Sequence, residues 1–311
     1  VLHRTPDTFP SFLNDLSASV LEFVGNMNRE RVRYRLNGYK FTLPVVAPNG
    51  SQDPFYYIID KHYGSSDHVT YMQHGIPAVI FNTWPDMWYH SSQDTPDKLD
   101  PTMFKRAGVV GTGAMTVLAT AADEMGARVA AESLARGTSR VGEAQKKGLA
   151  YLADAPDAVS LNIGYKEALN AIRHQTRVEQ ATVMSSAVLF SRPSDGEKQL
   201  SGFTRLIADR AAALSNEIKA FYQLRADQMR IKATDPDASD LEREAARLYP
   251  ERVGGGARGG FGGGGRGGAP TKIPQHMTSE LNILIGQKKS ILEIRDFLSG
   301  EFEPLPLSDL V

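Results

Sequence analysis

A chain of 311 residues can bury a substantial core, and its length favours two structural units rather than one. Lysine and arginine together (35) nearly balance aspartate and glutamate (36), so the net charge of -1 gives no reason to expect a nucleic acid or an anionic membrane as partner. The chain has no cysteine, which excludes disulfides, thiolate nucleophiles and cysteine-ligated zinc. It also has no run of about 18 apolar residues that would span a membrane.

The N-terminal part of the chain mixes helical and strand patterns. Apolar residues at helical spacing predict a helix within residues 7–27, whereas residues 28–54 contain three prolines and predict a loop with at most a short strand. The apolar run 76–81 follows Gly75 and is typical of a buried strand in a covered sheet.

A second helix is predicted from Pro101 to about Met125, packing back on that sheet. Asp100 is suited to cap its N-terminus, and proline is favoured at the first helical position. Its inward-facing residues are expected to be Phe104, Ala107, Val110, Met115 and Leu118. Loop, strand, long loop and helix in this order predict the closing half of an α/β layer structure.

The region 129–253 is rich in Ala, Glu, Arg, Lys and Gln and has few strand-forming residues. Two groups of apolar residues recur at helical spacing: Phe203, Ile207, Leu214, Ile218, Phe221 and Leu224, and separately Ile163, Leu169, Ile172 and Val178. Pro156, Pro193 and Pro236 predict breaks between helices. We therefore predict that a mainly α-helical region, a helical hairpin or small bundle, is appended to the α/β part.

Residues 254–268 are glycine-rich and predict a flexible linker, because such a segment buries too little surface to offset its ordering entropy. The alternative is an RNA-binding tether in which Arg258 and Arg266 flank Phe261. Two arginines in a neutral chain make the linker the favoured interpretation.

The last segment, residues 269–311, predicts one helix from Met277 to Phe297. We expect it to pack against the helical bundle, and the beginning of a helix-turn-helix module is the alternative. Ser308 has the character of a helix N-cap whose helix does not follow, and the chain opens without methionine. We therefore expect a fragment of a longer polypeptide.

The stretch from Gly64 to Asp100 carries the residues most suited to chemistry. It contains Ser66-Asp67-His68, then Gly75-Ile76-Pro77-Ala78, then Tyr89-His90-Ser91-Ser92-Gln93-Asp94-Thr95-Pro96-Asp97. A histidine in a polar loop after a strand lies where open α/β sheets place their sites, and Asp94 or Asp97 can hold its imidazole in one tautomer. On spacing alone, a surface histidine is a more common outcome than a metal ligand.

These three motifs, in this order, resemble the di-zinc aminopeptidase family, which includes bacterial leucyl-type aminopeptidases, glutamate carboxypeptidase and the transferrin receptor. The resemblance covers about residues 1–122 and is most specific from 64 to 100. It implies a mixed, largely parallel sheet between helices, with two zinc ions bound at the strand ends. Residues 1–128 would then be the C-terminal portion of a zinc peptidase domain.

The resemblance also implies roles for individual residues. His90 matches the last zinc ligand of the family, and Tyr89 matches a tyrosine that donates its hydroxyl to the tetrahedral oxyanion. Zinc polarises the scissile carbonyl and lowers the pKa of a bridging water, while a phenol adds a donor where negative charge develops. Asp67 matches a structural or substrate-orienting position, and Asp94 is expected to support His90.

Other features of the family are missing from the sequence. The family carries a His-x-Asp pair, an adjacent Glu-Glu pair and a further Asp or Glu before this loop. This set of motifs is not present before residue 64. One histidine cannot hold a catalytic zinc, which normally takes three protein ligands. The chain is therefore expected to be inactive alone.

The remaining aromatic and histidine residues carry weaker expectations. Trp84 and Trp88 are expected either to line a pocket for an apolar substrate side chain or to belong to the core. His68 is expected to pack within its turn, whereas His174 and His276 are expected on the surface of helices.

The leading hypothesis is a fragment of a zinc-dependent exopeptidase, an aminopeptidase that acts on the N-termini of peptides or proteins. A non-catalytic relative that binds proteins is the alternative, and a helical interaction module with a peptidase remnant is the third. Tyr89 and His90 together favour the enzyme, because an inactive site has no physical need for that pair. We expect no nucleic acid and no membrane as partner. The resemblance alone favours an extracytoplasmic or secreted location, and the oligomeric state stays open.

Overall fold

The computed structural model describes residues 1–35, 45–61, 66–251 and 272–311. The glycine-rich segment 254–268, for which a linker is predicted, lies outside these residues. In the part of the chain that is described, no helix combines the length and the apolar character that crossing a lipid bilayer requires.

The described residues form three short strands and nine α-helices. The strands are β1 (Leu2–Arg4), β2 (Ile59–Lys61) and β3 (Ile80–Phe81). The helices are α1 (Phe12–Arg35), α2 (His68–Gln73), α3 (Pro101–Thr120), α4 (Asp123–Ala153), α5 (Ala158–Ser185), α6 (Pro193–Met229), α7 (Asp240–Ala245), α8 (Thr278–Gly286) and α9 (Ile291–Glu301). Short 3-10 turns cover Pro96–Lys98, Ser186–Leu189, Gln275–Met277 and Leu307–Asp309.

The strands form one small mixed sheet in the order β2-β1-β3. β1 and β2 are parallel, with Leu2 opposite Ile59, while β1 and β3 are antiparallel, with Leu2 opposite Phe81. An α/β part followed by a helical region is therefore confirmed. The predicted buried strand over 76–81 is wrong in two respects. It is reduced to two residues, and these are only half-buried because β3 lies at the edge of the sheet.

Helices α1 and α3 pack against this sheet and against each other. Leu2, Leu21, Val24 and Val110 are buried in the core that they share. The predicted start of α3 is confirmed, since the Asp100 carboxylate accepts a hydrogen bond from the backbone N–H of Thr102 at 3.0 Å. The predicted helix at 7–27 is also present, but α1 continues to residue 35 in place of the predicted loop.

The predicted inward face of α3 is largely wrong. Val110 is buried, but Phe104, Met115 and Leu118 are exposed. The buried face of α3 instead consists of Thr102, Arg106, Val110 and Ala114. Arg106 occupies an inward position because its guanidinium donates to the backbone carbonyls of Val45 and Asp53, at 3.3 and 2.8 Å. Apolar spacing gives no sign of such a polar anchor.

Helices α4, α5 and α6 form the predicted bundle. Their shared core includes Leu152, Leu161, Ile172, Leu200, Ile207, Leu214 and Ile218, all buried. The break at Pro193 is confirmed, because this proline is the first residue of α6. Ile163 and Leu224, which the pattern placed with the inward groups, are exposed. α4 runs without interruption through the predicted boundary between residues 128 and 129, and the division of the chain into domains stays a prediction.

The C-terminal segment contains two helices where one was predicted. α8 ends at Gly286 and α9 begins at Ile291, where Ser290 and Glu293 form a reciprocal capping box. α9 packs on α5, as expected, and the side-chain amide of Asn170 donates to the backbone carbonyl of Asp296 at 2.7 Å. Ser308 lies inside a 3-10 turn and is not the N-cap that its sequence context indicated.

Candidate functional site

The loop between β3 and α3 carries most of the predicted site residues and is built from consecutive turns. The Asp86 carboxylate accepts a hydrogen bond from the backbone N–H of Trp88 at 2.9 Å. The carbonyl of Trp88 in turn accepts from both the backbone N–H and the hydroxyl of Ser91, at 3.0 and 2.6 Å. These local bonds hold Tyr89 and His90 in a tight turn on the exposed surface.

The backbone of His90 adopts a conformation that is uncommon for an L-residue. Its φ of 57° lies in the left-handed region, which costs an L-residue about 1–2 kcal/mol. The imidazole stacks on the ring of Tyr89, with 3.8 Å between ring centroids and 20° between planes. Strained residues that the surrounding structure holds in place are characteristic of functional sites, so this geometry favours a functional role for the Tyr89–His90 pair.

Aromatic side chains surround this pair without being buried. Trp84 packs edge-on against Tyr89, with centroids 5.5 Å apart and planes at 84°. The Lys98 ammonium lies 5.2 Å from the ring of Trp88. Trp84, Trp88 and Met87 are exposed, Met87 to 85%. The interpretation of Trp84 and Trp88 as core residues is therefore wrong, and their role beside a substrate stays a prediction.

The two predicted carboxylates, Asp67 and Asp94, are both exposed. Asp67 precedes α2 as an exposed residue whose side chain makes no capping hydrogen bond, while His68 beside it is buried, as expected. Asp94 is exposed, and its backbone N–H donates to the carbonyl of Ser91 at 3.3 Å. Within the four described ranges, neither carboxylate forms part of a His–Asp–Glu group with His90 that could hold a metal ion.

The zinc ions implied by the family resemblance find no complete set of ligands around His90 within the residues that the structure describes. No group of three ligand residues there includes His90, and a catalytic zinc normally takes three protein ligands. The roles of Tyr89, His90, Asp67 and Asp94 thus stay predictions, and any metal site here needs ligands from residues other than these.

A second group of titratable residues lies elsewhere, in the interior. Asp7, Lys61, His174, Glu280 and Glu301 form what we call the buried charge cluster. The Lys61 ammonium lies 2.9 Å from Asp7 Oδ1 and 2.5 Å from Glu301 Oε1. His174 Nε2 lies 3.0 Å from Asp7 Oδ2. Among the described residues, Asp7, His174 and Glu301 are the one group whose ligand-type atoms lie within 4.8 Å of one another. The ammonium of Lys61 already supplies a cation between the two carboxylates.

Sequence reasoning missed this cluster and misplaced His174. The residue is in helix α5, as expected, but it is buried and not on the surface. Its ring packs edge-on against Phe297, with centroids 4.6 Å apart. No local pattern could have found the cluster, because its members come from β2, α5, α8, α9 and the segment after β1. The expectation for His276 is confirmed, since its side chain is half-exposed.

Burial and charge change the ionisation of the cluster. Burial alone would raise the pKa of Asp7, but Lys61 and His174 hold that pKa well below its ordinary value. Burial would likewise lower the pKa of Lys61, yet Asp7 and Glu301 raise it. For Glu280, burial and the neighbouring Glu301 both act in one direction and raise its pKa well above the usual value.

Comparison with known proteins agrees with the loop motifs. Residues 35–114, which include the loop with Tyr89 and His90, match the family model described as peptidase family M28. The resemblance to part of a domain of the M28 di-zinc aminopeptidase family is therefore confirmed over these residues. No curated protein and no solved structure matches the chain. The family match supports a peptidase-like function at the level of the family.

Proposed function

We propose that the segment around Tyr89 and His90 is the closing part of the active site of a zinc-dependent aminopeptidase. The observation that carries the proposal is the geometry of this pair inside the matched residues 35–114: an exposed, stacked tyrosine and histidine, with the histidine held at a φ of 57°. The substrates would be the N-termini of peptides or proteins, and both zinc dependence and aminopeptidase specificity are part of the proposal.

In this proposal the chain contributes two functional groups from one turn. His90 would be one ligand of the metal site, with the other ligands and the general base supplied by polypeptide outside the described residues. The Tyr89 hydroxyl would donate a hydrogen bond to the oxyanion that develops on the scissile carbonyl, where an oriented donor acts most strongly. Asp94 and Asp67 would orient His90 and the substrate.

A second candidate is a non-catalytic peptidase-like domain that binds proteins. The observation in its favour is that, across the residues the structure describes, no metal-competent group forms around His90. The exposed Trp84 and Met87 of this loop are also typical of binding surfaces. The two candidates differ in whether the Tyr89 hydroxyl matters for turnover.

The test uses the longest natural polypeptide that contains this chain, assayed on aminoacyl chromogenic substrates and for zinc content by mass spectrometry. We expect Tyr89→Phe to keep its zinc and KM while kcat falls about 10²–10³-fold, because the lost donor acts only in the transition state. His90→Ala is expected to lose both zinc and turnover.

Tyr71→Phe is the matched control, since Tyr71 is an equally exposed tyrosine on α2. It is expected to leave kcat unchanged. A normal kcat in Tyr89→Phe contradicts the transition-state role, and full zinc content in His90→Ala contradicts the ligand assignment. Absence of turnover in the wild type favours the binding domain.

A further inference from the structure

The buried charge cluster joins parts of the chain that are far apart in sequence. Lys61 is the last residue of β2 and belongs to the matched segment 35–114, whereas Glu280 and Glu301 belong to α8 and α9. The Lys61 ammonium connects Glu301 to Asp7 through bonds of 2.5 and 2.9 Å. Among the described residues, the cluster therefore joins the peptidase-family segment to α9 by a direct ion pair, while Glu280 of α8 bonds to Thr8 of the N-terminal segment.

Close packing reinforces this contact on the side of α9. Gly300 precedes Glu301, and a Cβ at that position would lie 2.4 Å from the Cβ of His174. α9 can approach α5 this closely only because residue 300 is glycine. Glu301 thus enters the interior, where its side chain has no exposed surface.

Glu280 lacks the ion pair that its neighbours have. Asp7 and Glu301 both bond to the Lys61 ammonium, whereas Glu280 is completely buried and forms no salt bridge with any of the described residues. The backbone N–H of Thr8 donates to Glu280 Oε1 at 3.3 Å. No N–H or hydroxyl group of the described residues reaches Glu280 Oε2. A buried carboxylate without compensation is costly, so an additional proton is the natural compensation.

The additional proton has a defined position. After burial, the neighbouring carboxyl group of Glu301 is the main cause that raises the pKa of Glu280. Two neighbouring buried carboxyl groups can form a hydrogen bond only when one of them is protonated. We propose that this shared proton holds α8 and α9 against β2 and the N-terminal segment, and that its loss releases them. The device would make the docking of the C-terminal helices depend on pH.

The pH range follows from the groups that face one another. Glu280 faces Glu301, Asp7 and the N–H of Thr8, and Arg4, Lys61, Lys147 and His174 surround these carboxyl groups. The raised pKa of Glu280 means that its contribution is present at low pH and is lost as the pH rises through that raised value. The lowered pKa of Asp7 means that its contribution is lost as the pH falls below the ordinary range of an aspartate. Docking is therefore strongest between these limits.

Hydrogen–deuterium exchange of the full chain between pH 5 and pH 9 tests the proposal. The measured quantity is the exchange rate of amides 278–301, corrected for the intrinsic effect of pH. Between the ordinary pKa of a glutamate and the raised pKa of Glu280, each additional pH unit should increase opening up to about tenfold, because the opened state releases one proton. Above the raised pKa this rise should stop. Glu280→Gln should remove this rise, since its side-chain amide donates to Glu301 as the protonated acid does.

Glu303→Gln is the matched control, because Glu303 is a half-exposed residue of the same segment that pairs with His276. It should keep the pH profile of the wild type. A flat wild-type profile overturns the proposal without any variant. A rise that persists in Glu280→Gln also overturns it and assigns the dependence to another group, with His174 the first to test. If Glu280→Gln does not fold by circular dichroism, Glu280→Met replaces it with the same two outcomes.

Discussion

The α/β part, residues 1–122, and the helical bundle of α4, α5 and α6 bury their apolar residues to different degrees. In the bundle, side chains such as Leu152, Leu214 and Ile218 are completely buried among three long helices. In the α/β part, large apolar residues such as Phe104 and Met115 are exposed on α3. Three long helices can cover one another, whereas a sheet of three short strands covers only one face of the helix that packs on it.

The boundary between these two regions is stabilised by charge as well as by apolar packing. Arg140 of α4 donates to Asp15 of α1 at 2.7 Å and to Glu179 of α5 at 2.5 Å. Arg136 of the same helix bonds to Glu22 of α1. The α/β part is thus attached to the bundle by specific ion pairs, so the two regions should not behave as independent modules.

The largest expected effect comes from removing the shared cation. Arg140→Met should lower the free energy of unfolding by about 3–5 kcal/mol, because the buried carboxylates of Asp15 and Glu179 lose their counter-ion. Urea denaturation followed by circular dichroism measures the change. Arg128→Met is the control, since the side chains of Arg128 and its partner Glu124 are mostly exposed and the loss of this pair should change stability by less than about 1 kcal/mol. Equal effects would show that the boundary does not depend on this network.

A comparison of two apolar truncations tests the difference between the regions directly. Leu214→Ala in the bundle should cost about 2–5 kcal/mol, since it leaves a cavity in a closed core. Met115→Ala in α3 should stay within about 0.5 kcal/mol, because its side chain is 69% exposed. The same urea titration serves both variants. A large loss in Met115→Ala would mean that a partner or another part of the protein covers that face of α3.

A loss smaller than those at Arg140 and Leu214 is expected at the N-cap of α3. Asp100→Ala should cost about 1 kcal/mol at neutral pH, because the carboxylate accepts hydrogen bonds from the backbone N–H groups of Ser51 and Thr102. Burial alone would raise the pKa of Asp100, but these bonds lower it below 3.8. The stabilisation from this cap is therefore present above pH 3.8 and is lost as the pH falls through the lowered pKa of Asp100. Urea titrations at pH 7 and pH 3 should show the difference between variant and wild type shrinking. Asp157 is the corresponding N-cap in the bundle, since its carboxylate accepts a hydrogen bond from the backbone N–H of Ser160 at the start of α5. An unchanged difference at pH 3 would contradict the role of the carboxylate.

Several elements could be predicted because their signals are local. Asp100 followed by Pro101 marks the start of α3, and Pro193 marks the start of α6. The break between α8 and α9 also has a local signal, since Ser290 and Glu293 have the spacing of a capping box. It was not predicted, because the apolar pattern continues across it. Caps and prolines act on the adjacent backbone, so their effect does not depend on the rest of the fold.

The candidate site could be predicted only as a motif. The order of the loop residues led to the family that residues 35–114 match. The roles of Tyr89 and His90 still rest on that resemblance, because the residues which would complete the site are not contributed by the described part of the chain. The left-handed backbone of His90 could not have been inferred, since neighbouring turns determine it.

The amino-acid order alone was sufficient for the positions of the main helices, the N-cap Asp100, the start of α6 at Pro193, and the relationship of the loop to a peptidase family. Tertiary packing alone made Arg106 an inward residue of α3 and brought Asp7 within reach of Glu301, 294 positions along the chain. Periodicity and capping arise from interactions within a few residues. Burial and the pairing of charges depend on surfaces that meet only when the distant segments have packed together.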